Sequence, residues 1–316
     1  MKRRRLKPRD GIAHYHLMSR TVNGERFLGA AEKEFLRKLI RRVAEFSGIR
    51  VLTFAILDNH YHVLVEVPPP SDEVSDAEIV RRYGVLYPKP TPWQPMPPTV
   101  LAKHLAENGT EGKRLRDGLL RRMHDVSWFM KTVNQRFSKW FNRTHERFGP
   151  LWCDRFKSVL VEGERHALRT VAAYIDLNPV RAGLVADPKD YRFSGYGEAV
   201  AGRRAAREGL SGVDPSLAGY RQTLYGVGSE SKEGKATIPA AEARTVIESE
   251  RGNLPLSEAL RCRFRFFTEG IVLGSASFVE ESAQPVASRR TRPPHARPVA
   301  GTAWGGLAVL SGSRKG

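Results

Sequence analysis

One stretch constrains this chain more than any other: Leu57-Asp58-Asn59-His60-Tyr61-His62-Val63-Leu64-Val65-Glu66-Val67. Turn-forming residues open it, and an apolar, alternating run follows, which is the pattern of a β-strand. On a strand, residues i and i+2 point to the same face. His60 and His62 therefore project side by side, and Tyr61 points the other way. Two imidazoles on one rigid strand can share a divalent cation. They make half a site, so the rest of the chain must supply a further ligand and a reacting group.

The best candidate for both is Ala173-Tyr174-Ile175-Asp176-Leu177-Asn178-Pro179-Val180-Arg181-Ala182-Gly183-Leu184. On a helix, Tyr174 and Asn178 stand at i and i+4 on one face. A phenol nucleophile then lies one turn from an amide oxygen able to complete a metal shell. A second His-x-His, His14-Tyr15-His16, has the same spacing but runs into a polar, Arg-containing stretch; a structural or DNA-contacting role is the reading here, rather than metal binding.

The charge balance indicates the partner. The chain of 316 residues carries 52 Lys and Arg against 34 Asp and Glu, a formal net charge of +18. That excess favours a polyanion, with nucleic acid first, and no apolar run is long enough to span a bilayer. The two cysteines, Cys153 and Cys262, form neither a zinc pattern nor a disulfide framework, which fits a cytoplasmic setting. Candidate phosphate contacts are Arg3, Arg4 and Arg5 in a basic arm over residues 1–11, Lys131 on a helix, Arg155 and Lys157 about the following strand, and Arg181.

In chain order, residues 13–21 read as a strand, and 30–48 as a helix with Phe35, Leu36, Leu39, Ile40, Val43 and Phe46 as its apolar stripe and Gly48 as its stop. A strand from Arg50 to Leu57 and the histidine strand follow. Residues 68–123 read as an insertion with a short helix near Asp76–Tyr83 and a proline-dense run, 88–98, serving as a linker or lid. A strong helix spans 124–143, a strand spans Asp154–Glu162 with Arg155 and Lys157 on one face, and Glu164 to Asp176 begins the tyrosine helix, which Pro179 ends or kinks after Asn178. This order predicts an α+β, ferredoxin-like split βαβ fold: a four-stranded antiparallel sheet, two helices on one face, and an added catalytic helix against the exposed face. Residues 12–200 form the catalytic domain, 201–238 a linker, 239–282 a small helical C-terminal region with Ser275 capping a last short helix, and 283–316 a disordered basic tail.

Three ordered stretches resemble the HUH single-tyrosine transposases of the insertion-sequence-200-like group, and more closely their domesticated branch, the REP-associated tyrosine transposases. They are Asn59-His60-Tyr61-His62-Val63-Leu64-Val65, Phe148-Gly149-Pro150-Leu151-Trp152 through Arg155-Phe156-Lys157, and Tyr174-Ile175-Asp176-Leu177-Asn178-Pro179-Val180-Arg181-Ala182-Gly183-Leu184. The resemblance implies that His60 and His62 bind Mg2+ or Mn2+ with Asn178, that Tyr174 is the nucleophile, and that single-stranded DNA beside small hairpins is cleaved and rejoined through a 5′-phosphotyrosine. It implies a monomer, or a homodimer in which the tyrosine helix is exchanged. Two other readings remain open: a non-catalytic hairpin-binding regulator on the same fold, and a metal-dependent phosphodiesterase that uses water. Trp93 and Trp152 are candidates for stacking on unpaired bases, with core packing the stronger reading for Trp152.

Overall fold

The structure, a computed structural model, describes the whole chain except residues 1–5, 9–10, 72, 92–93, 231–232, 248–269, 288–296, 299–306 and 312–316. The split βαβ unit is formed by β1 (Ala13–Arg20), α1 (Ala30–Ser47), β2 (Arg50–Ile56), β3 (His60–Val67), α5 (Val126–Thr144) and β4 (Lys157–Val161). Between β3 and α5 lie α2 (Asp76–Leu86), α3 (Pro98–Ala106) and α4 (Thr110–Leu120). After β4 come α6 (Arg165–Asp176), α7 (Asn178–Arg181), α8 (Gly195–Val200), α9 (Arg204–Ser211), α10 (Leu217–Gly228) and α11 (Ala240–Ile247). Then follow β5 (Gly270–Ser275), α12 (Ala276–Ala287), β6 (Arg297–Pro298) and β7 (Leu307–Ser311).

The first four strands run antiparallel in the order β2-β3-β1-β4, so the histidine strand is central, as its sequence predicts. Local chemistry sets the helix limits. Gly48 ends α1 in the left-handed region at φ 63°, where a side chain is disfavoured. Its N–H donates to Glu45 O and that of Ile49 to Ala44 O, closing the last turn. Asp125 starts α5 by accepting from the N–H groups of Ser127 and Trp128.

Strand alternation divides the apolar residues between two cores. Tyr61, Val63 and Val65 of β3 pack with α1 and α5 residues such as Leu36, Val43, Phe129, Met130 and Phe137. Leu64 of β3, Ala55 of β2, and Val159 and Val161 of β4 pack with α6 on the other face. The sheet therefore has helices on both faces. The face read from sequence as exposed is covered, because α8, α9 and α10 bury Tyr196, Leu210, Tyr220 and Leu224 against it beside α6.

Four further expectations are corrected. Residues 201–238 contain α9 and α10, and are not a linker; their glycines and serines lower helix propensity, but Ala206, Leu210, Tyr220, Leu224 and Val227 are buried, and tertiary packing outweighs propensity. The insertion is three helices whose Ile79, Tyr83, Leu86, Leu101, Leu105 and Leu119 join the first core. Its proline run is tied down, with Tyr83 Oη donating to Met96 O and Gln94 Nε2 to Tyr83 Oη. Third, the sheet does not stop at four strands: β5 runs parallel to β4, pairing Leu160 with Val272, and β7 and β6 follow. Residues Leu273 to Ser275, read as helix, thus lie in a strand, while Ser275 does cap α12 by accepting from the Phe278 N–H. Last, the described part of the tail includes β7, paired antiparallel to β5.

Helix α9 crosses β2 at a close approach that only glycine permits. A Cβ on Gly209 would lie 2.7 Å from Leu52 O and nearer still to Val51 O, and neither backbone atom can step aside. Gly209→Val is expected to lower stability by about 1–3 kcal/mol, the range for overpacking, as read by urea unfolding.

Candidate functional site

His60 and His62 lie on the face of β3 that looks toward α6. In register, His62 is flanked by Met18 of β1 and Ala55 of β2, and His60 by Arg20. The two imidazole centroids are 5.0 Å apart. Asn59 fixes the first ring: its Nδ2 donates to Gly24 O at 2.8 Å, which turns its Oδ1 to the His60 Nδ1 at 2.6 Å. An amide oxygen only accepts, so His60 Nδ1 carries the proton and Nε2 the lone pair. His62 Nδ1 is 2.8 Å from His16 Nε2. That leaves His62 Nε2 buried with no hydrogen-bond partner among the described residues.

Burial is the main cause that pushes both imidazoles toward the neutral form. His60 is held at about 4, with Arg20 and Lys235 adding to the burial and Asp58 opposing it. His62 is held well below its ordinary value, with His16, His60 and Arg20 adding to the burial. Near pH 7 both are therefore lone-pair donors, the form that ligates a cation. An orphaned, buried ring nitrogen beside a second free Nε2 is a donor set that fits a divalent ion. Among the described residues, no group of three or more His, Cys, Asp or Glu is gathered as a metal site, so a third ligand drawn from these residues would be an amide.

Helix α6 brings Tyr174 over this pair. Its ring centroid lies 5.7 Å from that of His62 and 5.9 Å from that of His16. Burial raises the phenol to about 12, with a hydrogen bond to Asn178 acting against the rise. The Asn178 Nδ2 also donates to Tyr174 O at 2.8 Å, so the amide is held one turn below the phenol, as the i, i+4 spacing predicts. α6 ends at Asp176, and Pro179 sits in the first turn of α7, where a missing N–H costs little.

Asp176 fixes α6 in place. Its buried carboxylate accepts from Thr53 Oγ1 of β2 at 2.9 Å to each oxygen, from the Tyr196 N–H of α8 at 3.1 Å, and from Tyr220 Oη of α10 at 2.7 Å. Three elements of the same chain thus hold the helix that carries Tyr174.

The cationic residues are distributed unevenly about this centre. Lys157 lies in line with Met18 and His62 across the sheet, and shares their face. Arg155 and Lys157 are exposed. Lys131 is exposed on α5, in the layer behind the sheet, with its ammonium 4.3 Å from the Trp128 ring centroid. Arg181 is half-buried and donates to Val227 O at 2.7 Å and Glu230 O at 3.1 Å, at the end of α10. Arg3, Arg4, Arg5 and Trp93 lie outside the described residues. Trp152 packs between Tyr61 and Phe137, and its indole N–H donates to Asn134 O.

Sequence reasoning gave His16 only a general structural or DNA-contacting role, and it passed over Arg20 and Asp176. Parity holds a signal for the first two: His14, His16, Met18 and Arg20 share one face of β1, and the split βαβ order puts β1 beside β3. His16 thereby reaches His62, whereas His14 lies 3.4 Å from Glu66 at the other end of the strand. Nothing local marks Asp176, because its donors are distant in sequence.

Comparison with known proteins bears on the same region. No curated protein matches the chain. Among solved structures, it is similar to a REP-associated tyrosine transposase bound to a REP hairpin, with 17% identity and a TM-score of 0.39, over 64% of this chain and 86% of that one. The family model described as transposase IS200-like matches residues 12–83. The matched residues carry β1, α1, β2 and the paired histidines of β3.

Proposed function

We propose that this chain cleaves and rejoins single-stranded DNA beside a hairpin, with Tyr174 as nucleophile and His60 and His62 as ligands of Mg2+ or Mn2+. The observation that carries this reading is the placement of the Tyr174 ring against His62, where both histidines keep Nε2 free of their Nδ1 hydrogen bonds. The phenol oxygen forms a bond to phosphorus, and the bond from phosphorus to the 3′ oxygen breaks. The phosphate stays on Tyr174 through the 5′ side, and a proton lost from the phenol is matched by one gained on the 3′ hydroxyl. Rejoining is the reverse step, so the phosphotyrosine conserves the bond. His60 and His62 would hold the divalent ion, which would supply Lewis-acid polarisation of the phosphodiester. Asn178 holds its amide beside the phenol and is the proposed third protein ligand.

The hairpin is the substrate that the sequence resemblance implies, and the net charge of +18 supports a polyanionic partner. No helix among the described residues is long and apolar enough to cross a membrane. The anchoring of α6 to β2, α8 and α10 through Asp176 supports a reading in which Tyr174 serves the histidines of the same chain and a monomer suffices.

The test is an assay with labelled hairpin oligonucleotides from the DNA flanking the gene, with Mn2+ or Mg2+, resolved on a denaturing protein gel. A protein-linked label that disappears with chelator supports the proposal. Hairpin binding with no adduct supports the regulator, and free cleaved DNA with no adduct supports water as the nucleophile. Arg20 and Lys157, on the histidine face, are the proposed phosphate contacts. Arg20→Ala or Lys157→Ala is expected to weaken hairpin binding. Each should reduce the slope of log K against log salt by about 0.7, because one phosphate is no longer neutralised, as read by fluorescence anisotropy.

A further inference from the structure

The hydrogen bond between His16 and His62 joins two buried side chains with exposures of 0% and 2%. His16 stands on β1 diagonally across from His62, since it pairs with Leu64 while His62 pairs with Met18. It contributes no third ligand to a cluster, for no three such side chains converge among the described residues. Its Nε2 is instead spent on His62 Nδ1 at 2.8 Å.

A neutral imidazole has one protonated and one bare nitrogen. If His62 is to offer a lone pair at Nε2, its proton must reside on Nδ1, and Nδ1 then needs an acceptor. In this buried place the acceptor is His16 Nε2. The arrangement repeats at His60, where Asn59 Oδ1 accepts from Nδ1. Each histidine of the pair is therefore oriented from behind by a different residue, one from the turn before β3 and one from the neighbouring strand.

We propose that His16 is a positioning residue: by accepting from His62 Nδ1, it fixes the tautomer and ring direction that present a bare His62 Nε2 to the metal. The inference rests on the reading of His60 and His62 as the metal pair. Partners of this kind behind a ligating imidazole raise metal affinity by roughly 10- to 100-fold.

The experiment compares full-length wild type with His16→Met, His16→Gln and His62→Ala. Met removes the acceptor at similar size; Gln keeps an acceptor near the position of His16 Nε2. Nitrogen-15 NMR of the histidine rings, in chelator-treated protein at neutral pH, reads the tautomer of His62. Titration with Mn2+ alone, followed by electron paramagnetic resonance, reads affinity. The expected result is Nδ1–H at His62 in wild type, a shift toward Nε2–H in His16→Met, a roughly 10- to 100-fold weaker Mn2+ affinity in that variant, and recovery of both in His16→Gln. A wild-type His62 that carries its proton on Nε2 overturns the positioning role whatever the metal does. So does His16→Met that binds Mn2+ as wild type does. If His62→Ala leaves Mn2+ affinity unchanged, the metal-pair reading fails instead, and the tautomer result stands apart from it. Should His16→Met fail to fold, the wild-type spectrum and His16→Gln still decide: Gln with wild-type tautomer and affinity supports the role, and Gln that loses both opposes it.

Discussion

Tyr174→Phe is expected to form no protein–DNA adduct and to lose cleavage by on the order of 10^4-fold or more, the scale on which enzymes respond to removal of a nucleophile. The substitution removes one oxygen from a half-buried ring that already packs against His62 and His16, so the fold and hairpin affinity should persist. Cleavage retained in Tyr174→Phe would transfer the chemistry to water. The same variant tests the same-chain arrangement. Mixed with His62→Ala, it should not recover activity, because each protein lacks one half of a site built within one chain. Recovery on mixing would show that α6 is exchanged between subunits.

The second large effect is expected at Asp176. Asp176→Ala strands the hydroxyls of Thr53 and Tyr220 and the N–H of Tyr196 in a buried place. Each orphaned donor costs about 1–3 kcal/mol, so a loss on the order of 3 kcal/mol in unfolding free energy is expected. Burial raises the Asp176 carboxyl to about 7, against the hydrogen bonds from Tyr220, Tyr196 and Thr53 that lower it. The sign follows from linkage: the folded state holds this proton more tightly than the unfolded chain. Its contribution to stability is therefore complete below the unfolded value of 3.8 and is lost as pH rises to about 7. Asp176→Asn, which resembles the protonated acid, should flatten that fall and retain more stability than Asp176→Ala. Denaturant unfolding at pH 5 and pH 8, with chelator present, measures both. A wild-type protein whose stability rises across this window by an amount that Asp176→Asn abolishes would refute the assignment.

These two residues differ in how far the sequence reveals them. Tyr174 is legible because its i, i+4 partner Asn178 is near in sequence and the stretch they share carries the family resemblance. Asp176 is two positions away, yet its role depends on Thr53, Tyr196 and Tyr220, which local spacing does not connect to it. The same contrast separates His62 from His16. Period-two alternation puts His60 and His62 on one face, but the bond from His16 requires β1 beside β3 in a particular register.

By itself, the sequence determined the strands and helices of the split βαβ unit, the central place of the histidine strand, and the side on which its imidazoles project. Those follow from local periodicity, from Gly48 as a helix stop, and from the few topologies the element order allows. Only the tertiary structure decided what covers the histidine face, how the sheet extends past β4, and which side chains stand behind the site. These depend on contacts between residues far apart in the chain. Gly-rich α10 is helical because Tyr220, Leu224 and Val227 find a core to enter, and β5 is a strand because β4 offers an edge to pair with. Burial and pairing of this kind are properties of the assembled fold, and no window of sequence contains both partners.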